Sequence, residues 1–196
     1  MNNVTANNVI LVVILCVAVI AIVWFVAQRQ RSLKLRQRFG PEYDRAVSEL
    51  GGRAKAEAEL RKREQRVARF NIVPLTQADA ARFSQAWSAM QGRFIDNPKG
   101  VVAEADLLVR ELMTKRGYPM ADFEHRAADI SVDHPGVVTT YRAAQAIAVR
   151  DQRGEADTEE LRKAVVHYRT LFDELLDVAP AQAPSRPVER RVPVRS

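Results

Sequence analysis

The chain has 196 residues, a formal net charge of +6 and 47% hydrophobic content, which fits one ordinary folded domain and excludes wholly disordered protein. A single cysteine, Cys16, excludes an internal disulfide framework and a cysteine-built zinc site, and three histidines leave little for a histidine-rich metal centre. Neither Gly-x-Gly-x-x-Gly nor Gly-x-x-x-x-Gly-Lys occurs, which argues against the usual phosphate-cradling loops.

Residues 1–8 precede an unbroken apolar run from Val9 to Ala27. A helix of that length rises about 28 Å, close to the roughly 30 Å hydrocarbon thickness of a bilayer. Its Val and Ile content would favour a strand in water, but lipid demands a backbone satisfied within its own segment. Residues 9–27 therefore read as a transmembrane helix, with Trp24 as an interfacial aromatic. A cleaved signal peptide is the competing reading. It calls for a basic start, a shorter apolar core and small residues before the cut. Here MNNVTANN carries no Lys or Arg, and Phe25 occupies the −3 place of a cut after Ala27. No basic residue precedes the span, whereas Arg29, Arg31, Lys34, Arg36 and Arg38 follow it at once. The positive-inside rule then predicts a single-pass inner-membrane protein, N-terminus out, with the C-terminal domain cytoplasmic. The same five side chains form the candidate membrane-surface cluster, because each Lys or Arg beside an anionic leaflet contributes about 1 kcal/mol.

Residues 28–69 hold thirteen Lys and Arg against six Asp and Glu, a net of +7. Gly40-Pro41 should end the helix leaving the membrane and start the next. Tyr43, Val47 and Leu50 make one short apolar stripe, and Gly51-Gly52 interrupts it. RAKAEAELRKREQRVAR is rich in helix formers, with Glu57–Arg61 and Glu59–Arg63 at supportive spacing but only Leu60 and Val67 as large apolar residues. The expectation is a solvated basic helical stalk, without a heptad pattern sustained enough for a coiled coil.

Residues 70–178 carry net −4 and read as a small bundle of four to five helices. Thr76 with Asp79 and Asp157 with Glu160 are capping pairs. Phe83, Trp87, Met90 and Phe94 share one face. Val101, Val102, Ala105, Leu108, Val109, Leu112 and Met113 share another. Phe123, Ala127 and Ile130 point inward from a short helix, Tyr141, Ala144 and Ala148 from the next, and Leu161, Val165, Tyr168, Phe172 and Leu175 from the last. Residues 179–196 contain four Pro and four Arg and read as a disordered tail. The expected fold class is all-α.

The densest titratable segment is Asp122, Glu124, His125, Asp129, Asp133 and His134. His125 and Asp129 are four apart on one helix and could meet one cation, with His167 as the remaining histidine for a third ligand. The plainer reading is an acidic helix with local His–Asp contacts and Asp133 at a cap, so no metal, cofactor or catalytic residue is assigned. Gly-x-Ser-x-Gly is absent as well. The runs RFGPEYDRAVSELGGRAKAEAELRKRE, FNIVPLT, GYPMADFEHRAADISVDHPGVV and HYRTLFDELL resemble an uncharacterised family of bacterial single-pass membrane, sometimes secreted, helical proteins over residues 35–176. That resemblance implies a bacterial source and no transferable activity. The expected function is a membrane-anchored adaptor, scaffold or regulator that contacts the lipid bilayer and a protein partner. An enzyme or metal-binding protein using Asp122–His134 is the alternative, as is anionic-lipid or nucleic-acid binding through the stalk. Nucleic acid is the weaker of that last pair because aromatics scarcely interleave the basic residues.

Overall fold

A computed structural model describes the backbone of residues 2–176 and the side chains of residues 15–176. The proposed tail 179–196 and the side chains of the N-terminal segment 1–8 lie outside these residues. Among the described residues eight helices run in order: α1 (Asn2–Phe39), α2 (Pro41–Glu49), α3 (Arg53–Val67), α4 (Gln77–Gly92), α5 (Pro98–Arg116), α6 (Phe123–Asp133), α7 (Pro135–Gln152) and α8 (Thr158–Leu175). No strand occurs among the described residues, so the all-α expectation holds.

Helix ends fall where the local chemistry puts them. Gly40 adopts φ 49°, and Pro41 opens α2 at a position whose amide needs no partner. The Thr76 hydroxyl accepts the Asp79 amide at 3.1 Å, and the Asn97 side chain accepts the Gly100 amide at 3.0 Å beside Pro98. Asp157 and Glu160 complete a reciprocal capping box at 2.7 and 3.1 Å. Gly117 ends α5 in the left-handed region, φ 95°, with the Tyr118 amide reaching back to the Met113 carbonyl at 3.0 Å. A Cβ at Gly117 would stand 2.3 Å from the Asn71 carbonyl oxygen. Gly117→Ala combines that clash with an unfavourable φ and should lower stability by roughly 2 kcal/mol or more in chemical unfolding followed by circular dichroism.

The main core lies among α4, α5, α7 and α8, with Phe83, Trp87, Leu112, Met113, Tyr141, Tyr168 and Phe172 buried in it. The Trp87 and Phe172 rings meet at 4.5 Å between centroids. Each apolar stripe expected over residues 83–175 turns inward, with Phe94, Phe123 and Ala148 at its half-buried margin.

The solvated stalk needs correction. Leu35, Phe39, Tyr43, Ala46, Ala56, Leu60 and Val67 form a second core with Val132 of α6, and Phe70 and Ile72 pack against both cores. The physical reason is that the end of α1, α2 and α3 bury their few apolar side chains against one another and against α6, while their charges find partners. Helix α6 is the wall between the two cores. Residues 126–132 are all buried, Ala127 and Ile130 facing one core and Val132 the other.

Candidate functional site

Helix α1 carries the apolar segment, and from Leu15 to Val26 its side chains are exposed among the described residues. Ile20 and Trp24 are each 67% exposed, and Leu15, Val17, Ile22, Val23 and Phe25 exceed half exposure. Along Leu15–Phe39 the helix is long and apolar enough to cross a membrane. Cys16 is exposed on that surface. The five predicted basic residues follow on the same helix and are all exposed, yet they divide. Arg36 faces Asp44 at 3.6 Å, and Arg38 pairs with Glu64 at 3.0 Å and reaches the Val132 carbonyl at 3.4 Å. No carboxylate pairs with Arg29, Arg31 or Lys34 among the described residues.

Below the basic turn sits a buried ionic network that sequence reasoning missed. Glu42 of α2 is 5% exposed and takes Arg63 of α3 at 3.0 Å and Arg142 of α7 at 3.1 Å. Arg142 also bonds to Glu124 of α6. Burial alone would lower the Arg142 pKa, but the bond to Glu124 and the charges of Glu42 and Glu124 outweigh it and raise the value. The Tyr43 hydroxyl donates to Glu57, itself buried, at 3.0 Å. Burial first, then that carboxylate, push the phenol pKa up.

The acidic and histidine segment does not converge on one point. Asp122 caps α6, accepting the His125 amide at 3.0 Å and meeting the His125 ring Nδ1 at 2.7 Å. Those two contacts hold the Asp122 carboxyl below its ordinary pKa. Asp129 points the other way, buried and bonded to Arg66 of α3 at 2.7 Å. The pairing of His125 with Asp129 on one cation is therefore replaced by two separate contacts, because a guanidinium occupies the buried carboxylate. Asp133 accepts the Tyr118 hydroxyl at 3.3 Å rather than capping a helix, and His134 meets Glu174 at 3.1 Å. His167 is half-buried at the edge of α8. Among the described residues no group of three His, Cys, Asp or Glu side chains is placed to hold a metal.

Two large concavities among the described residues flank α2. A shallow groove of about 800 Å³ runs between α2, α6 and α7. Phe123, Ala146 and Val149 give it an apolar floor, with Arg45, Arg142 and Arg150 and the carboxylates Asp122 and Glu124 at its margin. A second, of about 580 Å³, opens between α1, α2 and the first residue of α3, Arg53. Arg53, Arg66 and Arg142 were not singled out from sequence. Their role depends on which helix each one faces, and residue spacing within one helix does not carry that. Comparison with known protein families, characterised proteins and solved structures finds no match to this chain.

Proposed function

We propose that the protein is a single-pass, membrane-anchored helical adaptor whose bundle holds a protein partner at the cytoplasmic face of a bacterial inner membrane. The observation that carries the anchoring is the uncovered apolar surface of α1 from Leu15 to Val26, joined without a break to a folded, charged bundle. Water does not tolerate a contiguous apolar patch of that size on a monomer, and lipid does. The orientation rests on the basic residues after the span and none before it, and the bacterial setting on the family resemblance.

The partner-binding reading rests on the α2–α6–α7 groove. It is shallow and apolar-floored, with charges of both signs at its edge, which suits an amphipathic helix of a partner better than a small substrate. The dispersed acidic and histidine side chains support this reading over the enzyme one, since acid–base or metal chemistry requires them to face a common point.

A photo-crosslinking residue at exposed Ala146 tests it in intact membranes. A discrete adduct is expected at Ala146, lost when Val149→Glu charges the groove floor, and none from exposed Lys163 on α8. Equal labelling at both positions, or an Ala146 adduct indifferent to Val149→Glu, would overturn the groove as the docking surface. A cytoplasm-only reporter fused after Val178 should be active, and activity of a periplasm-only reporter there would reverse the orientation.

A further inference from the structure

Helix α2 turns back along α1. Gly40 reverses the chain, Asp44 comes level with Arg36 at 3.6 Å, and Val47 and Arg53 line a groove whose other wall is Phe25, Arg29, Ser32 and Leu33. At 1.5 Å per residue, Leu50 returns to about the level of Arg29 and Gln30, only a few Å past Ala27. The headgroup layer outside the hydrocarbon core is about 5–7 Å deep. The upper half of this groove, and the exposed turn from Leu50 to Arg53, therefore stand at headgroup level if Val9–Ala27 spans the bilayer.

We infer that the groove between α1, α2 and Arg53 is a binding site for the headgroup of an anionic phospholipid. This deepens the anchored reading above and rests on it. The chemistry is complementary. Arg29 and Arg53 supply two guanidinium groups at headgroup level, which suits a phosphodiester, while Arg36 lies lower in the groove, about 13 Å past Ala27, and faces Asp44. Ser32 and Gln28 add hydrogen-bonding side chains for a glycerol or similar polar headgroup. Phe25, 63% exposed, gives apolar surface at the hydrocarbon edge, where the ester and first methylenes of the acyl chains would lie, whereas Leu33 stands about 9 Å past Ala27 in the lower half of the groove. A free phosphate would use the arginines and leave Phe25 bare, so the lipid is the occupant that accounts for the upper half of the groove. Arg53 is the distinctive member. It comes from α3, and its place depends on the fold rather than on the basic run that follows the span.

The test uses the full chain in phosphatidylcholine vesicles with a minor fraction of phosphatidylglycerol, one lipid or the other carrying brominated acyl chains that quench tryptophan. Trp24 adjoins Phe25 at the groove, whereas Trp87 is fully buried in the bundle and gives a constant background. Brominated phosphatidylglycerol is expected to quench Trp24 well beyond its mole fraction. Arg53→Gln should reduce that preference about fivefold, the contribution expected of one cation at an anionic surface. Arg53→Lys should retain most of it. Lys55→Gln, which removes equal charge from the same end of α3 but lies outside the groove, should change it little. Equal losses in Arg53→Gln and Lys55→Gln would reduce the site to diffuse surface charge and overturn the inference. Loss of the preference on adding inorganic phosphate, but not chloride at equal ionic strength, would reassign the site to free phosphate and overturn the lipid. Quenching by both lipids in proportion to their amounts would sink the headgroup site while leaving the anchor standing. Quenching by neither would sink the anchor itself.

Discussion

Trp87→Ala should remove roughly 3–5 kcal/mol of stability, the range for deleting a large buried aromatic. The side chain is fully buried, stacked near Phe172, with Arg169 passing 5.5 Å from its ring centre. Deleting it opens a cavity where α4 meets α8, and α4 has few other buried anchors besides Phe83 and Met90. A domain stable by about 5–15 kcal/mol would lose a large fraction of that. Denaturant unfolding of the full chain in detergent, followed by circular dichroism, reads the loss directly. Trp87→Phe separates packing from polarity. The indole Nε1 is buried without a hydrogen-bond partner among the described residues, so phenylalanine removes an unpaired donor while keeping much of the volume, and the change should stay within about 1.5 kcal/mol. A Trp87→Ala variant as stable as the parent would mean that α4 docks elsewhere.

Glu42→Ala is the second large effect, and it acts on the other core. Glu42 is the shared acceptor of Arg63 and Arg142, whose side chains are only 11% and 12% exposed. Removing it leaves Arg63 only its longer contact to Glu59, at 3.4 Å, and Arg142 only Glu124, so two guanidinium groups in a poorly solvated place lose their buried counter-charge. Breaking a buried ion pair from one side costs about 3–5 kcal/mol. The triple variant Glu42→Leu, Arg63→Met, Arg142→Met should recover part of that loss, since an apolar set of similar volume removes both guanidinium groups together with their buried partner and frees only Glu59 and Glu124, which reach solvent. A single variant that melts within a degree or two of the parent would place the network in solvent.

These two residues also mark what sequence could and could not supply. Trp87 was legible because Phe83, Trp87 and Met90 repeat with the helical period, and the last helix announces itself in the same way through Leu161, Val165, Tyr168, Phe172 and Leu175. Glu42, Glu57 and Arg63 gave no such signal, because they are buried as charges satisfied by other charges and apolar periodicity does not register them. One clue was present in the charge of the two halves: +7 over residues 28–69 and −4 over residues 70–178 are complementary. The structure joins the halves through Arg66 to Asp129 in that sense, and through Glu42 to Arg142 in the opposite one, which net charge does not announce. The His125–Asp129 spacing placed both residues on one helix, with local His–Asp contacts as the favoured reading and a shared cation as the lesser one; His125 meets Asp122 at the start of its own helix, whereas Asp129 turns to Arg66 of α3, a cross-helix pairing that spacing does not carry.

The continuity of α1 into the second core has a consequence for how the molecule explores space. A flexible tether of the length of residues 28–69 would let the bundle wander about 35 Å from its attachment point and tumble freely. Here the helix that leaves the apolar segment ends at Phe39, wedged beside Tyr43 and Leu60, and Arg38 is clamped to Glu64 and the Val132 carbonyl. The bundle has no swivel. In a bilayer its height and azimuth would be inherited from the tilt and rotation of one helix, so the α6–α7 groove would sweep a thin layer parallel to the surface. Encounter with a partner would then be a two-dimensional search at fixed orientation, governed by lateral diffusion and by whether the partner offers its own face at the same height.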